Sequence, residues 1–300
     1  MVSDTSAIRL GAVSVFPGEK SGKYPDGNQV TVRGADTLAA FDTPLVANRL
    51  GRELLDADIV VLGHVHEDHM AGLHRLRHAP LYVHEADVAA ARSWEGLARH
   101  YGYVPEVLAG MRSKIEKEFH YAPRADAQAY KDGACWELGG GVTVRAFHMP
   151  GHTSGHCVLL VEPGGIAFIG DIDLSSFGPY YGDATSSLAD FRRTLATVQD
   201  VPAKIWITSH HKGVITERET FLALLKAFAA RLDAREKAIA DHLRRQPSTL
   251  AELVAHRFVY PRDLDDLYYA DAERRTIEQH LGALALAGRA LDEGGRWRMA

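Results

Sequence analysis

The 300-residue chain reads as an α/β protein in which strands and helices alternate up to residue 210, followed by a helix-rich C-terminal region. Three observations predict this. Short apolar runs bounded by Gly, Pro, Asn and Asp recur through the first two thirds and are interleaved with stretches of helical period. The composition changes near Thr216, where a long stretch rich in Ala, Leu, Lys and Arg begins. The clusters of His and Asp fall directly after apolar runs, and open α/β sheets place their sites at the carboxyl ends of strands.

Taken in order, Ile8–Phe16 reads as a strand and Pro17–Asn28, rich in Gly, Pro, Lys and Asp, as a loop. Gln29–Arg33 and Thr37–Phe41 flank Gly34-Ala35-Asp36 and are expected to form a hairpin. Asp58–Leu62 (DIVVL) is a continuous apolar run, as a strand buried on both faces requires. Leu81–His84 is another short strand. From Trp94 to about Lys117 the pattern is helical, with a break at Gly102–Pro105, and it gives way by Pro123. Val142–Phe147, Cys157–Val161 and Ile166–Ile169 read as strands. Ser187–Gln199 reads as a helix with Ser186 or Ser187 as N-cap, and Ala203–Thr208 as a last buried strand.

Thr216–Arg245 is predicted as one amphipathic helix opened by a Thr216-x-x-Glu219 capping box and stopped by Gln246-Pro247-Ser248. Helices over Thr249–Ala255 and Ala272–Gly288 follow, then two strands around Gly294-Gly295 within Ala290–Met299. Helix, helix, hairpin is the outline of a winged helix. The expected division is therefore a catalytic unit over 1–215 and a long helix plus winged-helix-like unit over 216–300.

Composition narrows the chemistry. A charged fraction of 24% and a hydrophobic fraction of 46% exclude disordered and collagenous classes. A net charge of −5 gives no general pull toward nucleic acid. Only two cysteines, Cys135 and Cys157, and no CxxC exclude a disulfide framework and a thiolate metal cage. A reduced, cytoplasmic protein is expected, because Met1–Phe16 lacks the segments of a signal peptide. No run approaches the roughly 18 uncharged apolar residues of a membrane span. The outlying number is 16 histidines.

Four of the potential ligands sit in His64-Val65-His66-Glu67-Asp68-His69, directly after the buried strand. In a near-extended loop, residues two apart point the same way, so His64 and His66 can chelate one ion. Asp68 and His69 stand where DHMAGLHRL reads as the start of a helix, and the turn there lets them face a second ion. Pro150-Gly151-His152-Thr153-Ser154-Gly155-His156 follows another strand, and its Pro and Gly impose a tight turn at His152. Gly170-Asp171 follows Ile166–Ile169, and a carboxylate can bridge two cations. Ser209-His210-His211-Lys212-Gly213 follows Ala203–Thr208. A lone HxH would carry little weight; HxHxDH after a buried strand with three such partners is specific.

These segments, with Phe41-Asp42-Thr43-Pro44, resemble the metallo-β-lactamase-fold hydrolases in order and interval over about residues 8–215. The resemblance implies a four-layer αβ/βα sandwich with the site at one edge. It implies a first metal ion held by His64, His66 and His152, a second held by Asp68, His69 and His210, and Asp171 bridging both. Asp42 would lie under the site and orient a ligand. His66 stands where flavodiiron-type oxygen reductases of the superfamily carry Glu, which disfavours a redox di-iron role. A bridging Asp171 is typical of the glyoxalase II-like hydrolases and atypical of true β-lactamases. His210 and His211 compete for the last ligand position, and the resemblance favours His210. At the C-terminus, Thr249–Leu253, the Ala272–Gly288 helix with His280-Leu281, and Arg296-Trp297-Arg298 resemble the winged-helix extension of the β-lactamase-like protein 2 group, some of whose members are endoribonucleases. Of the other histidines, His148 and His156 flank the ligand loop. His74, His78, His84, His100, His120, His242, His256 and His280 read as surface or helix-face residues.

The expected mechanism follows from two divalent ions lowering the pKa of a bridging water toward neutrality, the resulting hydroxide attacking a carbonyl or phosphoryl centre. Asp68 would be the catalytic residue that orients the nucleophile and shuttles a proton to the leaving group. Nitrogen and oxygen donors suit zinc, manganese or iron, and two zinc ions are expected. Phe177, Tyr180, Tyr181 and His211 are candidate substrate contacts. Trp94, Tyr101, Tyr103 and Met111, in a helical insertion over Ala90–Tyr130, are candidate pocket lining. The expected activity is hydrolysis of a small-molecule ester, thioester or lactone, with no membrane partner, in a homodimer. Two other classes stand beside it: a phosphodiesterase or endoribonuclease using the C-terminal region to hold RNA, and a metal-containing regulator. From Glu217 to Ala300 there are 14 Lys or Arg and 14 Asp or Glu, which weighs against RNA binding. The intact set of seven ligands weighs against a regulator.

Overall fold

The structure is a computed structural model that describes residues 7–262 and 266–300. The opening of the stretch read for a signal peptide, residues 1–6, lies outside them. Two sheets pack face to face. The first runs β1 (Ile8–Leu10), β2 (Val13–Phe16), β3 (Gln29–Arg33), β4 (Leu38–Phe41), β5 (Ile59–Val61), β6 (Leu81–His84) and β7 (Gln128–Tyr130), in that spatial order. It is antiparallel as far as β4 and parallel from β4 to β7. The second contains β8 (Cys135–Gly139), β9 (Val142–His148), β10 (Cys157–Glu162), β11 (Ile166–Phe168), β12 (Ile205–Ile207) and β13 (Val214–Ile215), ordered β13-β12-β11-β10-β9-β8. Only its β11–β12 pair is parallel.

Strand periodicity explains the layering. In β10, Cys157, Leu159 and Val161 point into the core between the sheets, while Val158 and Leu160 join the core on the outer face. In β4, Ala39 and Phe41 face the inter-sheet core while Leu38 and Ala40 face outward. Both faces are apolar because both are covered, which is why these runs lack polar alternation. Over the outer face of the first sheet lie α2 (Arg52–Leu55), α3 (Val88–Arg92), α4 (Trp94–Tyr101) and α5 (Pro105–Glu118), while α1 (Glu19–Gly22, a single distorted turn) sits in the loop between β2 and β3. Over the second lie α6 (Leu188–Thr197) and α7 (Arg218–Arg245), with Phe191, Phe221, Phe228 and Leu232 in its core. The result is the expected helix, sheet, sheet, helix sandwich.

The last turns of α7 pack with α8 (Leu250–His256) and α9 (Tyr269–Leu286) around Ile239, Leu243, Leu253, Ile277 and Leu281. A small antiparallel sheet, ordered β14 (Ser248–Thr249), β16 (Arg296–Met299), β15 (Ala290–Asp292), closes this region. Among the described residues no helix is long and apolar enough to cross a membrane.

Several expectations are corrected. Ile8–Phe16 is two strands, because Gly11 sits at φ +59° and turns the chain back on itself. The capping box is not at Thr216: α7 starts after Glu217 with no side-chain cap, and the box is made by Thr249 and Glu252 at α8. The DHMAGLHRL helix is two short 3₁₀ turns, Glu67–His69 and Leu73–Arg75. Strands β7, β13 and β14, of two or three residues, are too short to be read from alternation, and β8 carries Glu137 and a bulge before Gly139. Ser187 is the N-cap of α6, accepting the Asp190 N–H, and the break at Gly102–Pro105 separates α4 from α5.

One aromatic contact docks α7 on the second sheet: Trp206 of β12 stacks on Phe221, with centroids 4.3 Å apart and planes 4° from parallel. Both rings are buried. Phe221→Ala is expected to lower unfolding free energy by about 3–5 kcal/mol in urea titration, as for other buried Phe truncations.

Candidate metal centre

Every group at the site leaves the carboxyl end of a strand. The His64–His69 loop follows β5, the His152 loop follows β9, Asp171 follows β11, His210 follows β12 and Asp42 follows β4. The sheet order places β4 beside β5 and β11 beside β12, so residues distant in sequence meet at one edge of the sandwich.

Seven side chains converge there. His152 Nε2 lies 3.2 Å from His64 Nε2, 3.0 Å from His66 Nδ1 and 3.4 Å from Asp171 Oδ2. Asp68 Oδ2 lies 3.1 Å from His210 Nε2 and 3.6 Å from His69 Nε2. The other oxygen of Asp171, Oδ1, lies 3.2 Å from His69 Nε2 and 3.5 Å from His210 Nε2. His64, His66, His152 and Asp171 form one group whose ligand atoms lie within 4.8 Å of one another, and Asp68, His69 and His210 form another. Asp171 thus turns one oxygen to each group.

For four of the five rings a bond on the far side sets which nitrogen keeps its lone pair, while His64 Nδ1 is buried with no hydrogen-bond partner among the described residues. His66 Nε2 donates to Asp183 Oδ2 at 2.7 Å, and His69 Nδ1 donates to Asp42 Oδ2 at 2.7 Å. His152 Nδ1 donates to the Tyr180 carbonyl, and His210 Nδ1 is shared between the Gly22 and Asp26 carbonyls. When these rings are neutral their inward nitrogens are acceptors facing acceptors, an arrangement that a cation relieves. His69 Nε2 and Asp171 Oδ1 are buried with no hydrogen-bond partner among the described residues. A nitrogen and oxygen donor set of this kind fits two divalent cations.

The electrostatics follow from burial and neighbours. Burial pushes His152 down to about 3 and His156 to about 4, so both are neutral imidazoles. Burial would lower His66 too, but its bond to Asp183 lifts it to about 9. Burial alone would raise Asp171; the surrounding imidazoles of His69, His210 and His64 instead hold it well below the ordinary carboxylate range. Glu67 is raised, by burial and then by Asp68 beside it.

Of the supporting residues, Asp42 and His156 carry sequence signals, and Asp87 and Asp183 carry none. Asp42, held at φ +50°, also accepts the Gly63 N–H, tying β4 to the loop that carries His64. Asp87 was not singled out; it accepts from the Val65 N–H, the Thr153 hydroxyl and the Gly155 N–H, so one carboxylate joins the two ligand loops. Asp183 was not singled out either. His156 donates through Nδ1 to the Met149 carbonyl and accepts the Asp171 N–H at Nε2. His211 lies outside the converging group, with Nε2 3.7 Å from Asp173 Oδ2. His84, His100 and His280, read as surface or helix-face residues, are buried.

Beside this group opens a cavity of about 630 Å³, within the usual range for ligand pockets. Tyr101, Tyr103, Met111, Phe177, Tyr180 and His211 border it, and Tyr101, Tyr103 and Met111 also pack in the core of the first sheet. Tyr181 does not: it is 1% exposed and its hydroxyl meets His280 Nε2 at 2.8 Å. Trp94 packs instead against Tyr121 and Arg112. The C-terminal region also reaches the cavity, through Tyr260, Pro261, Tyr268 and Tyr269.

Comparison with known proteins bears on the whole arrangement. Residues 33–227 match the Metallo-beta-lactamase superfamily profile. An atrochrysone carboxyl ACP thioesterase of Pseudocercospora fijiensis is 30% identical over 120 residues, 39% of this chain and 33% of that protein. A second, of Claviceps purpurea, is 28% identical over 181 residues, 58% of this chain and 54% of that protein. The matched region thus spans from about a third to about half of these relatives' length. The crystal structure of a metallo-beta-lactamase family protein of Thermus thermophilus superposes with a TM-score of 0.71 at 23% identity, covering 97% of this chain and 99% of that one. A beta-lactamase domain protein of Burkholderia ambifaria gives 0.68 at 20% identity, covering 100% and 96%. These two likenesses show a shared fold.

Removing the carboxylate behind His66 tests the support of the site. Asp183→Asn is expected to weaken retention of divalent metal about 10- to 100-fold, read by dialysis against graded chelator and elemental analysis.

Proposed function

The chain belongs to the metallo-beta-lactamase superfamily, and from that premise we propose that it is a dinuclear metal-dependent hydrolase of a small ester, thioester or lactone, with a thioester as the favoured bond. The thioester preference is supported by the activity named for its relatives. The observation that carries the dinuclear reading is Asp171, whose two oxygens face two separate sets of ligand atoms. His64, His66 and His152 would hold one ion, Asp68, His69 and His210 the other, and Asp171 both. Zinc is the ion we expect, with manganese or iron as alternatives. The chemistry such a pair supplies when bound is Lewis acidity and a nucleophile from water near neutral pH.

The chain's own residues do the rest. Asp68 borders the cavity and carries the proton: its carboxylate orients the attacking water, takes up its hydrogen and delivers it to the departing thiolate or alkoxide. Asp183, Asp42 and the carbonyls of Tyr180, Gly22 and Asp26 hold the imidazoles in place through the reaction. The walls of the cavity bind the acyl group and exclude water from it. We read residues 1–215 as the catalytic unit and 216–300 as a winged-helix-like unit whose role is to complete this cavity. Its tyrosines are packed toward the site, and its net charge of zero suits that role better than gripping RNA.

Protein loaded with zinc or manganese is to be assayed on thioesters, esters, lactones, a phosphodiester reporter and single-stranded RNA. Thioester turnover that disappears on chelation and returns with metal is the expected result. Cleavage of RNA with no ester, thioester or lactone turnover would overturn the reading. Asp68→Asn is expected to lower kcat about 10²- to 10⁴-fold. Near-wild-type turnover in a variant of verified metal content defeats the role given to Asp68.

A further inference from the structure

The two groups of ligand atoms are supported from different parts of the chain. In the first, His66 Nε2 donates to Asp183 and His152 Nδ1 donates to the Tyr180 carbonyl, so both imidazoles are aimed by the short stretch 180–183. In the second, His69 Nδ1 donates to Asp42, and His210 Nδ1 is shared by the Gly22 and Asp26 carbonyls. Those partners are fixed within the sandwich and its loops. Asp42 accepts the Gly63 N–H, and the Asp26 carboxylate accepts from the Glu19 and Val46 N–H groups and from Arg49.

Tyr180 serves the first group twice. Its carbonyl holds His152, and its hydroxyl donates to Asp183 Oδ1 at 3.0 Å. The Tyr103 hydroxyl reaches the same oxygen, and the two phenol oxygens lie 2.7 Å apart. Asp183 is fully buried, and with Oδ1 taken by phenols its Oδ2 is left to His66. The Asp183 N–H donates to Ser186 Oγ, which in turn donates to the His152 carbonyl. His66 and His152 are thereby coupled through residues 180–186.

That stretch is fastened to the C-terminal region. Buried Arg235 of α7 donates to the Phe177 and Pro179 carbonyls, and its guanidinium lies over the Phe177 and Tyr181 rings at 5.0 and 5.5 Å. A planar fork of donors fixes a loop in a way that a single flexible ammonium does not. Gln279 of α9 donates to the Tyr181 carbonyl and accepts the Leu188 N–H, bracketing the stretch. Tyr181 Oη meets His280 Nε2 at 2.8 Å, and a Cβ on Gly182 would come within 2.6 Å of Ala272 Cβ. Asp171 is anchored apart from this grip. Its N–H donates to His156, and Ile172 and Leu174 after it are buried in the core of the second sheet. A shift of 180–183 therefore reaches His66 and His152 and leaves Asp171 in place.

We propose, resting on the dinuclear reading above, that the C-terminal region sets how tightly one of the two ions is held, the ion facing His64, His66 and His152. Tyr180, Arg235 and Gln279 are the positioning residues through which it acts. The ion facing Asp68, His69 and His210 is held independently of that region.

Competition of the zinc-loaded full chain with a graded chelator resolves the release of each ion. Proton NMR of the cobalt-loaded chain identifies the position, because the shifted ring N–H signals of His66 and His152 belong to one ion and those of His69 and His210 to the other. Tyr180→Phe removes one hydroxyl and keeps the carbonyl; Gln279→Ala removes a C-terminal grip. Each is expected to weaken one release step about 10-fold, with loss of the His66 and His152 signals, while the other step stays unchanged. Arg235→Lys, which keeps the charge and loses the fork, should do the same; should it fail to fold, Gln279→Ala, on a half-buried side chain, decides. Asp42→Asn is expected to weaken the other step instead. Equal weakening of both steps by any of these variants, or two unchanged steps in Gln279→Ala, overturns the inference and leaves the dinuclear reading standing. A wild-type chain that holds a single ion overturns the dinuclear reading and this inference with it.

Discussion

Everything at the working edge of this protein depends on holding seven electron-rich side chains together in a buried volume. Imidazole lone pairs about 3 Å apart repel one another, and Asp171 adds a negative charge among them. Folding must impose that convergence, and it does so from behind. Asp42, Asp183 and the Tyr180 carbonyl each take the outer hydrogen of one ring, and the Gly22 and Asp26 carbonyls share that of His210, which aims the opposite lone pairs inward. The site is built as two concentric sets, and the outer set decides the tautomers of the inner one.

The sandwich supplies the rigidity for this. Strands β4, β5, β10 and β11 are buried on both faces, so their ends cannot shift without disturbing two cores. Side-chain bonds then tie one strand's loop to another's: Asp42 links β4 to the loop after β5, and Asp87 links that loop to the one after β9. A buried carboxylate is costly unless its oxygens are satisfied, and Asp87 is satisfied by Thr153 and Gly155 of one loop with a further bond from Val65 of the other.

The cavity is assembled differently. Its walls come from loops, from the α4–α5 segment that also covers the first sheet, and from the C-terminal region, which contributes through several independent contacts. Buried Arg235 of α7 donates to the Pro179 and Phe177 carbonyls, Gln279 donates to the Tyr181 carbonyl, and Arg275 donates to the Gly102 carbonyl. The same loop after β11 that carries Asp171 is therefore gripped by α7 and α9. Centre, pocket wall and C-terminal region form one connected structure, in which Asp183 meets both His66 of the centre and Tyr103 and Tyr180 of the wall.

How much of this was legible in the sequence follows from the range of each interaction. The central strands, α6, the break between α4 and α5, and the HxHxDH string are local patterns, set by periodicity, capping and the chemistry of neighbouring residues. The family resemblance, which pointed to the seven converging side chains, rested on such strings. Tertiary structure alone could show that Asp87 and Asp183 stand behind those strings, because an isolated Asp in a loop has no local signature. The same holds for Tyr181 and His280, which face each other in the interior, and for Gly11, where a single positive φ divides one apparent strand into two. Sequence determined which residues could bind a cation, since that is a property of side-chain type and spacing. Only the tertiary structure decided which lone pairs face inward and which tyrosines wall the cavity, since both depend on contacts between different segments, such as His66 with Asp183 and His210 with Gly22.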